Sequence, residues 1–343
     1  QTYDAVGVRA HNFGKGLATL GMVPLPEDEG TVGGVSFEQT SEPHTRLVYE
    51  ETCADWMTGV IGAFSQSFCV ATSYATLGIS SVADAAQECN VKVIMCNLKD
   101  VEKVANEASS MPMLTHIVYT TNYCNEEDIA RLTAKSTPGK INVLSFDDVC
   151  ALGESSNLPI NKPTPDNMAV IMYTSGSTGK PKGVMIRQKN ICASVAALYS
   201  FATNAGLVEG EETYLAYLPA AHILELCAEF AMFVFGAKIG YCDPKTISSK
   251  GAVRRMPNGE LSTLAVSSYD ENTYPPGGIQ EFRPTFMAAV PKIWDILKKG
   301  VEGEIAKASP VLQGVFLAAY AARSLAHQQD CAKITRRRPG EEC

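Results

Sequence analysis

The sequence predicts an α/β fold of two stacked βαβ-type subdomains, and three observations carry that prediction. Between residues 69 and 120 short apolar runs alternate with helical stretches of about ten residues. A second set of such runs follows a proline-bearing connection at residues 155–167. The chain has 343 residues, 45% hydrophobic and 19% charged, so it can bury a large core without staples.

Residues 4–20 read as a helix, because Val8, Phe13, Leu17 and Leu20 keep helical spacing and Gly21 ends the run. Residues 24–44 are rich in Gly, Glu and Pro and read as a loop. Residues 55–68 are helix-like and 69–73 form a short apolar strand. Helices at 80–88, with a serine cap, and 100–108 alternate with strands at 91–96 (VKVIMC) and 115–120 (THIVYT). Strands spaced by helices indicate a parallel sheet, with mixed pairing expected at its edges. Pro159, Pro163 and Pro165 mark a connection, which sets a first subdomain at 1–160, a second at 161–330 and a frayed tail at 331–343. In the second, strands are expected at 168–173, 214–218 and 238–242, with helices at 189–201 and 224–235. Residues 245–284 are polar, with turn signals at Pro257-Asn258-Gly259 and Pro275-Pro276-Gly277-Gly278. Residues 291–300 and 310–328 return to helix, the latter with one apolar stripe of Leu312, Val315, Phe316, Ala319 and Tyr320.

Composition excludes several classes. A net charge of -8 and a pI of 5.3 argue against general affinity for nucleic acid or anionic membrane, and no basic–aromatic pattern offsets this. The 11 cysteines include no C-x-x-C pair, so reduced thiols in a cytosol-facing protein are expected. No apolar run approaches the roughly 18 residues of a membrane span. The chain starts at Gln1 with no signal-like segment, and residues are expected upstream of it.

One segment concentrates chemistry: Tyr173-Thr174-Ser175-Gly176-Ser177-Thr178-Gly179-Lys180-Pro181-Lys182-Gly183, running into Val184-Met185-Ile186. Glycines let backbone N–H groups turn toward an anion, hydroxyls add neutral donors, and lysines add charge. This composition fits a loop wrapped around the phosphates of a nucleotide. A flexible Gly/Ser linker is the plainer reading, but a linker does not ordinarily leave a buried strand and enter another apolar run. The P-loop pattern G-x-x-x-x-G-K-[ST] fails, since two residues separate Gly176 from Gly179 and Pro181 follows Lys180. Pro181 also biases Lys180 toward extended backbone, so a strand is expected after the loop rather than a helix.

YTSGSTGKPKGVMI resembles the signature loop of the adenylate-forming (AMP-binding) superfamily of acyl-CoA synthetases and luciferases. Tyr74-Ala75-Thr76-Leu77-Gly78, preceded by Trp56 and Cys69-Val70-Ala71-Thr72, resembles the corresponding stretch of the long-chain fatty acyl-CoA synthetases. So does Leu218-Pro219-Ala220-Ala221-His222-Ile223-Leu224-Glu225, with Ala220 where the family usually has Leu. Arg283-Pro284-Thr285 through Trp294 and the opening around Asn12-Phe13-Gly14 are similar too. The likeness runs from about Tyr3 to about His327 and implies an incomplete N-terminal large domain of that fold. The Y-G-x-T-E and T-G-D segments, the hinge and the small C-terminal domain do not occur in this sequence.

The resemblance implies ATP-dependent activation of a long-chain fatty acid to acyl-adenylate and then acyl-CoA, with ATP, Mg²⁺ and CoA. In that scheme Thr174, Ser175, Gly176, Ser177, Thr178, Gly179 and Lys182 bind phosphate, and Ser177 offers its hydroxyl beside the metal. His222 and Lys182 are the catalytic candidates. Glu225, one turn from His222, reads equally as a solvated carboxylate. Trp294 and the aromatics Phe230, Phe233 and Phe235 read as core packing in preference to an acyl tunnel. The resemblance also implies a cytoplasmic protein with no nucleic-acid partner. It leaves room for peripheral membrane association, at the endoplasmic reticulum or elsewhere, through segments not in this chain. Two alternatives stay open: an adenylating relative that takes a medium-chain or aryl acid, and a nucleotide-binding fragment without turnover. With the small domain absent, weak ATP binding and negligible turnover are expected of these residues alone.

Overall fold

In a computed structural model of the chain, residues 1–25, 44–74, 78–122, 124–133, 141–174, 181–247 and 277–336 are described. They fall into two units, Gln1–Ala288 and Ala289–Cys343. In the first, period-two alternation along the strands sends apolar side chains to both faces of one sheet. The elements in chain order are α1 (Tyr3–Thr19), β1 (Thr45–Tyr49), α2 (Ala54–Phe64), β2 (Cys69–Thr72), α3 (Ile79–Glu88), β3 (Val93–Asn97), α4 (Val101–Asn106), β4 (His116–Thr120), α5 (Glu126–Thr133), β5 (Asn142–Ser145) and α6 (Phe146–Glu154). Then come β6 (Met168–Thr174), β7 (Lys182–Arg187), α7 (Gln188–Asn204), β8 (Thr213–Ala216), α8 (Ile223–Val234), β9 (Lys238–Tyr241) and α9 (Gly278–Phe282).

Seven strands make one sheet in the order β5-β4-β3-β1-β2-β6-β7, parallel except for the antiparallel edge pair β6–β7. Val48, Val70, Met95, Val118, Val170 and Met172 face α1, α2 and α6 on one side. Leu47, Ala71, Ile94, Ile117 and Ile171 face α3 and α4 on the other. The expected boundary at 160/161 therefore differs from the structure. Strands β2 and β6 pair across it from Val70–Val170 to Thr72–Met172, so both sides share one sheet. The proline-bearing connection is present, but it leads back into the same sheet. Residues 45–49 and 142–145, unassigned from sequence, supply β1 and β5.

Helix α1 starts on Thr2, whose hydroxyl accepts from Ala5 N–H at 3.3 Å, and stops where Gly21 turns into the left-handed region at φ 86°. It crosses its neighbours backbone to backbone. A Cβ on Gly62 of α2 would lie 2.4 Å from the Ala10 carbonyl oxygen, and one on Gly153 of α6 would lie 1.8 Å from that of Asn12. Four side chains tie this layer to β1. Arg9 lies over the Phe146 ring at 4.6 Å, Phe146 stacks on Phe13 at 4.1 Å, and the Arg46 guanidinium lies 5.4 Å from the Phe13 centroid. Arg9 also pairs with Asp55 and Asp147. Arg46 is fully buried; its Nη1 reaches Met95 Sδ at 3.7 Å, and Nε and Nη2 have no partner among the described residues. Burial pushes its pKa down to about 9.

Strands β8 and β9 form a separate two-stranded parallel sheet over α8. Phe235 is buried there with Tyr214 and Ala231, Phe230 stacks on Phe64, and Phe233 meets Tyr3 edge-on, so all three aromatics pack in the core. Glu225 and Glu229, one turn apart on α8, are 1% and 0% exposed. The Tyr214 hydroxyl donates to Glu225 Oε2 at 2.9 Å and the Tyr241 hydroxyl to Glu229 Oε2 at 2.7 Å. Neither Oε1 has a partner among the described residues. The reading of Glu225 as a solvated carboxylate is thus corrected: the apolar periodicity of α8 turns this position inward. Burial raises Glu225 to about 8, and burial with the neighbouring Glu225 raises Glu229 well above the carboxylate range.

The second unit pairs α10 (Pro291–Lys307) with α11 (Pro310–Arg336). The stripe expected on α11 is exposed, with Phe316 stacked on Tyr320 at 6.2 Å. Two helices alone present too little surface to cover it. Trp294 is half-exposed. No helix among the described residues is long and apolar enough to cross a membrane.

Two stability predictions follow from the buried charges. Arg46→Met replaces an unpaired buried cation by an apolar chain of similar length and raises stability by about 1–3 kcal/mol, read as a higher urea midpoint at unchanged slope. A carboxyl whose pKa rises on folding favours the fold only while protonated, so stability falls as pH climbs from the carboxylate range through about 8. Glu225→Gln keeps an acceptor for Tyr214 and removes that titration. The loss of stability between about pH 5 and pH 8 then shrinks by on the order of a few kcal/mol, measured by urea unfolding across the range.

Candidate functional site

The strand–loop–strand arrangement expected around the glycine-rich segment is present. Strand β6, next to the edge of the sheet, runs to Thr174, and β7 returns antiparallel from Lys182, with Tyr173 opposite Gly183 and Thr174 opposite Lys182. Thr174 Oγ1 donates to the Lys182 carbonyl at 3.5 Å. Thr174 and Lys182 are both exposed at the mouth of this hairpin. Ser175, Gly176, Ser177, Thr178, Gly179 and Lys180 lie outside the described residues. Lys182 opens a strand and not a helix, so the hairpin is not the strand-to-helix turn of P-loop proteins. A Cβ on Gly183 would meet Ile171 Cγ2 at 2.7 Å, so only glycine lets β7 lie this close to β6.

Tyr173, the last buried residue before the loop, anchors the hairpin. Its hydroxyl donates to Glu88 Oε2 at 2.8 Å and lies 3.3 Å from Cys89 Sγ, at the end of α3. Beside it a polar recess of about 360 Å³ is lined by Ser81, Asp84, Glu88, Tyr173 and Pro181.

His222 stands at the N-terminus of α8. Its Nδ1 accepts from Leu224 N–H at 3.2 Å, which leaves Nε2 as the proton-bearing nitrogen of the neutral ring. The ring is exposed. The preceding segment is held by two threonine side chains, one in the β1–α2 connection and one on β2. Thr52 Oγ1 donates to the Leu218 carbonyl at 2.7 Å and accepts from Ala220 N–H at 2.7 Å. Thr72 Oγ1, on β2, donates to the Ala221 carbonyl at 3.3 Å. Thr72 is also the register partner of Met172, two residues before the loop. The segment that carries His222 and the strand that carries the loop therefore reach the same carboxyl edge of the sheet, where ligands bind in open α/β folds. Glu225 bonds to Tyr214 and not to His222 among the described residues.

The strand order reverses between β1 and β3, and a pocket of about 110 Å³ opens beside it. Glu50, Glu51, Thr52, Tyr74, Tyr217 and Asp243 are among its lining residues, so the carboxyl ends of β1, β2, β8 and β9 all meet there. Glu50 is 4% exposed and accepts from Thr120 Oγ1, Glu51 N–H and Asn97 Nδ2. Burial raises its pKa to about 7 against those three bonds. Glu51 is raised by burial and then by Asp243. Sequence reasoning missed Thr52, Thr72 and Glu50, because isolated Thr and Glu carry no spacing signal and β1 was not assigned.

Residues 44–332 match a family described as AMP-binding enzyme. Long chain acyl-CoA synthetase 8 of Arabidopsis thaliana is 30% identical over 324 residues, which cover 94% of this chain and 39% of that protein. Long-chain-fatty-acid–CoA ligase 2 of Schizosaccharomyces pombe is 29% identical over 277 residues, covering 81% and 36%. The chain thus spans about two-fifths of the length of these curated relatives. Among solved structures, the A-PCP didomain of carboxylic acid reductase from Segniliparus rugosus, in complex with AMP, superposes with a TM-score of 0.63 at 16% identity, over 92% of this chain and 40% of that one. The adenylation domain of a carboxylate reductase from Mycobacterium chelonae gives 0.63 at 15%, over 90% and 42%. The parallel sheet, the strand–loop–strand hairpin at its edge and the match over residues 44–332 agree: the chain belongs to the AMP-binding enzyme family.

Proposed function

We propose that this chain carries nucleotide- and acyl-handling residues of an ATP-dependent long-chain fatty acid–CoA ligase. The observation that carries the reading is the β6–β7 hairpin, which delivers an amide-, hydroxyl- and lysine-rich loop to the carboxyl edge of a parallel sheet. The long-chain class is supported by the names of the relatives.

A carboxylate is a poor acyl donor because its leaving group is oxide. Attack of the fatty carboxylate on the α-phosphorus of ATP forms the acyl–phosphate bond and expels pyrophosphate. Attack of the CoA thiol on the acyl carbon then forms the thioester and expels AMP, with the thiol proton passing to solvent. Both partners of the first step are anions, so catalysis is charge neutralisation and alignment. Backbone amides of residues 175–179 cradle phosphate oxygens, with the hydroxyls of Thr174, Ser175 and Thr178 as added donors. Ser177 offers a neutral oxygen of the kind Mg²⁺ takes. Lys182 places its ammonium at the hairpin mouth, and His222 presents Nε2–H toward the developing charge on the acyl–phosphate.

Two measurements test this. Titration of ATP with magnesium into the 343-residue chain gives saturable binding and a raised Tm, and Lys182→Ala weakens binding roughly tenfold, the worth of one charge-assisted hydrogen bond. No nucleotide effect on either quantity overturns the reading. ATP–pyrophosphate exchange by the whole protein, screened over acids of graded length and benzoate, is strongest with long saturated acids; preference for a medium-chain or aryl acid transfers the assignment to that relative.

A further inference from the structure

We propose that Thr52 is the positioning residue for His222: one hydroxyl from the β1–α2 connection fixes the strap that aims the imidazole. This rests on the reading of His222 as a member of the adenylation site.

The strap is residues 218–222, and local structure does not hold it. Pro219 has no N–H, and within the strap the backbone bonds to itself through His222 N–H to the Pro219 carbonyl at 2.9 Å. The Leu218 carbonyl, the Ala220 N–H and the Ala221 carbonyl are instead satisfied by side chains more than a hundred residues away in sequence. Thr52 takes the first two with a single oxygen, using its proton for Leu218 and a lone pair for Ala220, both at 2.7 Å. Thr72 takes the third at 3.3 Å. Thr52 is 7% exposed, so water does not replace it readily. Valine of the same shape would leave one donor and one acceptor unpaired in a buried place.

The consequence reaches the ring. His222 follows the clamped residues directly and then turns its Nδ1 back to Leu224 N–H, which defines the tautomer. If the strap is released, the N-cap geometry loosens and the proton redistributes between Nδ1 and Nε2. Glu225 and Glu229 fix the far side of the same helix to β8 and β9 through Tyr214 and Tyr241, so the strap is the side of α8 that Thr52 controls.

The test uses the 343-residue chain with labelled histidine imidazoles, His222 being assigned by its loss in His222→Gln. In the starting protein the His222 nitrogens show the Nε2–H tautomer. Thr52→Val moves its Nδ1 and Nε2 shifts toward the average of the two tautomers while those of His44 and His116 stay in place, and Thr52→Ser restores the starting pattern. Unchanged His222 shifts in a folded Thr52→Val protein overturn the proposal. Should that variant not fold, Thr72→Val carries the test: a partial shift of the same sign supports the strap, and no shift overturns it. Where exchange activity is measured, Thr52→Val lowers its rate by roughly tenfold to a hundredfold at similar KM for ATP, and this loss disappears in a His222→Ala background. Equal losses in both backgrounds overturn the proposal. Absence of exchange in the whole protein counts against the ligase reading alone, because the ring shifts decide the role of Thr52 independently.

Discussion

Three registered pairs between β2 and β6, from Val70–Val170 to Thr72–Met172, join the chain after its proline-bearing connection to the sheet formed before it. Everything at the candidate site depends on that pairing. It places β6 between a buried strand and the edge, so the loop beyond Thr174 leaves from the carboxyl end of the sheet. It brings Thr72 beside Met172 and so lets one β2 side chain serve the strap next door. Without this registration the glycine-rich loop and His222 would belong to independent pieces of chain.

The interior around this edge is more polar than its apolar strands suggest. Glu50, Glu225 and Glu229 are buried carboxyls met mainly by hydroxyl or amide donors rather than by cations, and Arg46 is a buried cation with no carboxylate. Burial, not pairing, is the first cause of every one of these pKa shifts. Such groups add little to stability and cost some of it. They do restrict geometry, because each hydroxyl–carboxyl bond joins a strand to the element packed against it.

The repeating part of this architecture was legible in the sequence. Runs such as VKVIMC and MAVIMY become β3 and β6 because period-two apolar residues serve both faces of a covered sheet. The change from loop to strand at Lys182 was legible from Pro181. The subdomain boundary was not, since prolines mark a connection but say nothing of which sheet the chain rejoins. Glu225 sits at a helix-start position that ordinarily faces water, but the apolar face of α8 carries it inward, where the Tyr214 hydroxyl from β8 meets it. Thr52 and Thr72 left no trace in the pattern because each matters through one oxygen atom whose partners lie far along the chain.

Strand β7 ends the sheet, and its outward side chains include Val184 at 48% and Met185 at 61% exposure. Among the described residues no strand pairs with its outer side, and an edge with unpaired backbone groups and apolar side chains is a template for intermolecular strand addition. Lys182 places positive charge at one end, while Arg187 at the other is paired with Asp166 at 3.1 Å. The like charge of Lys182 disfavours an identical edge pairing at that end, and added salt screens the repulsion.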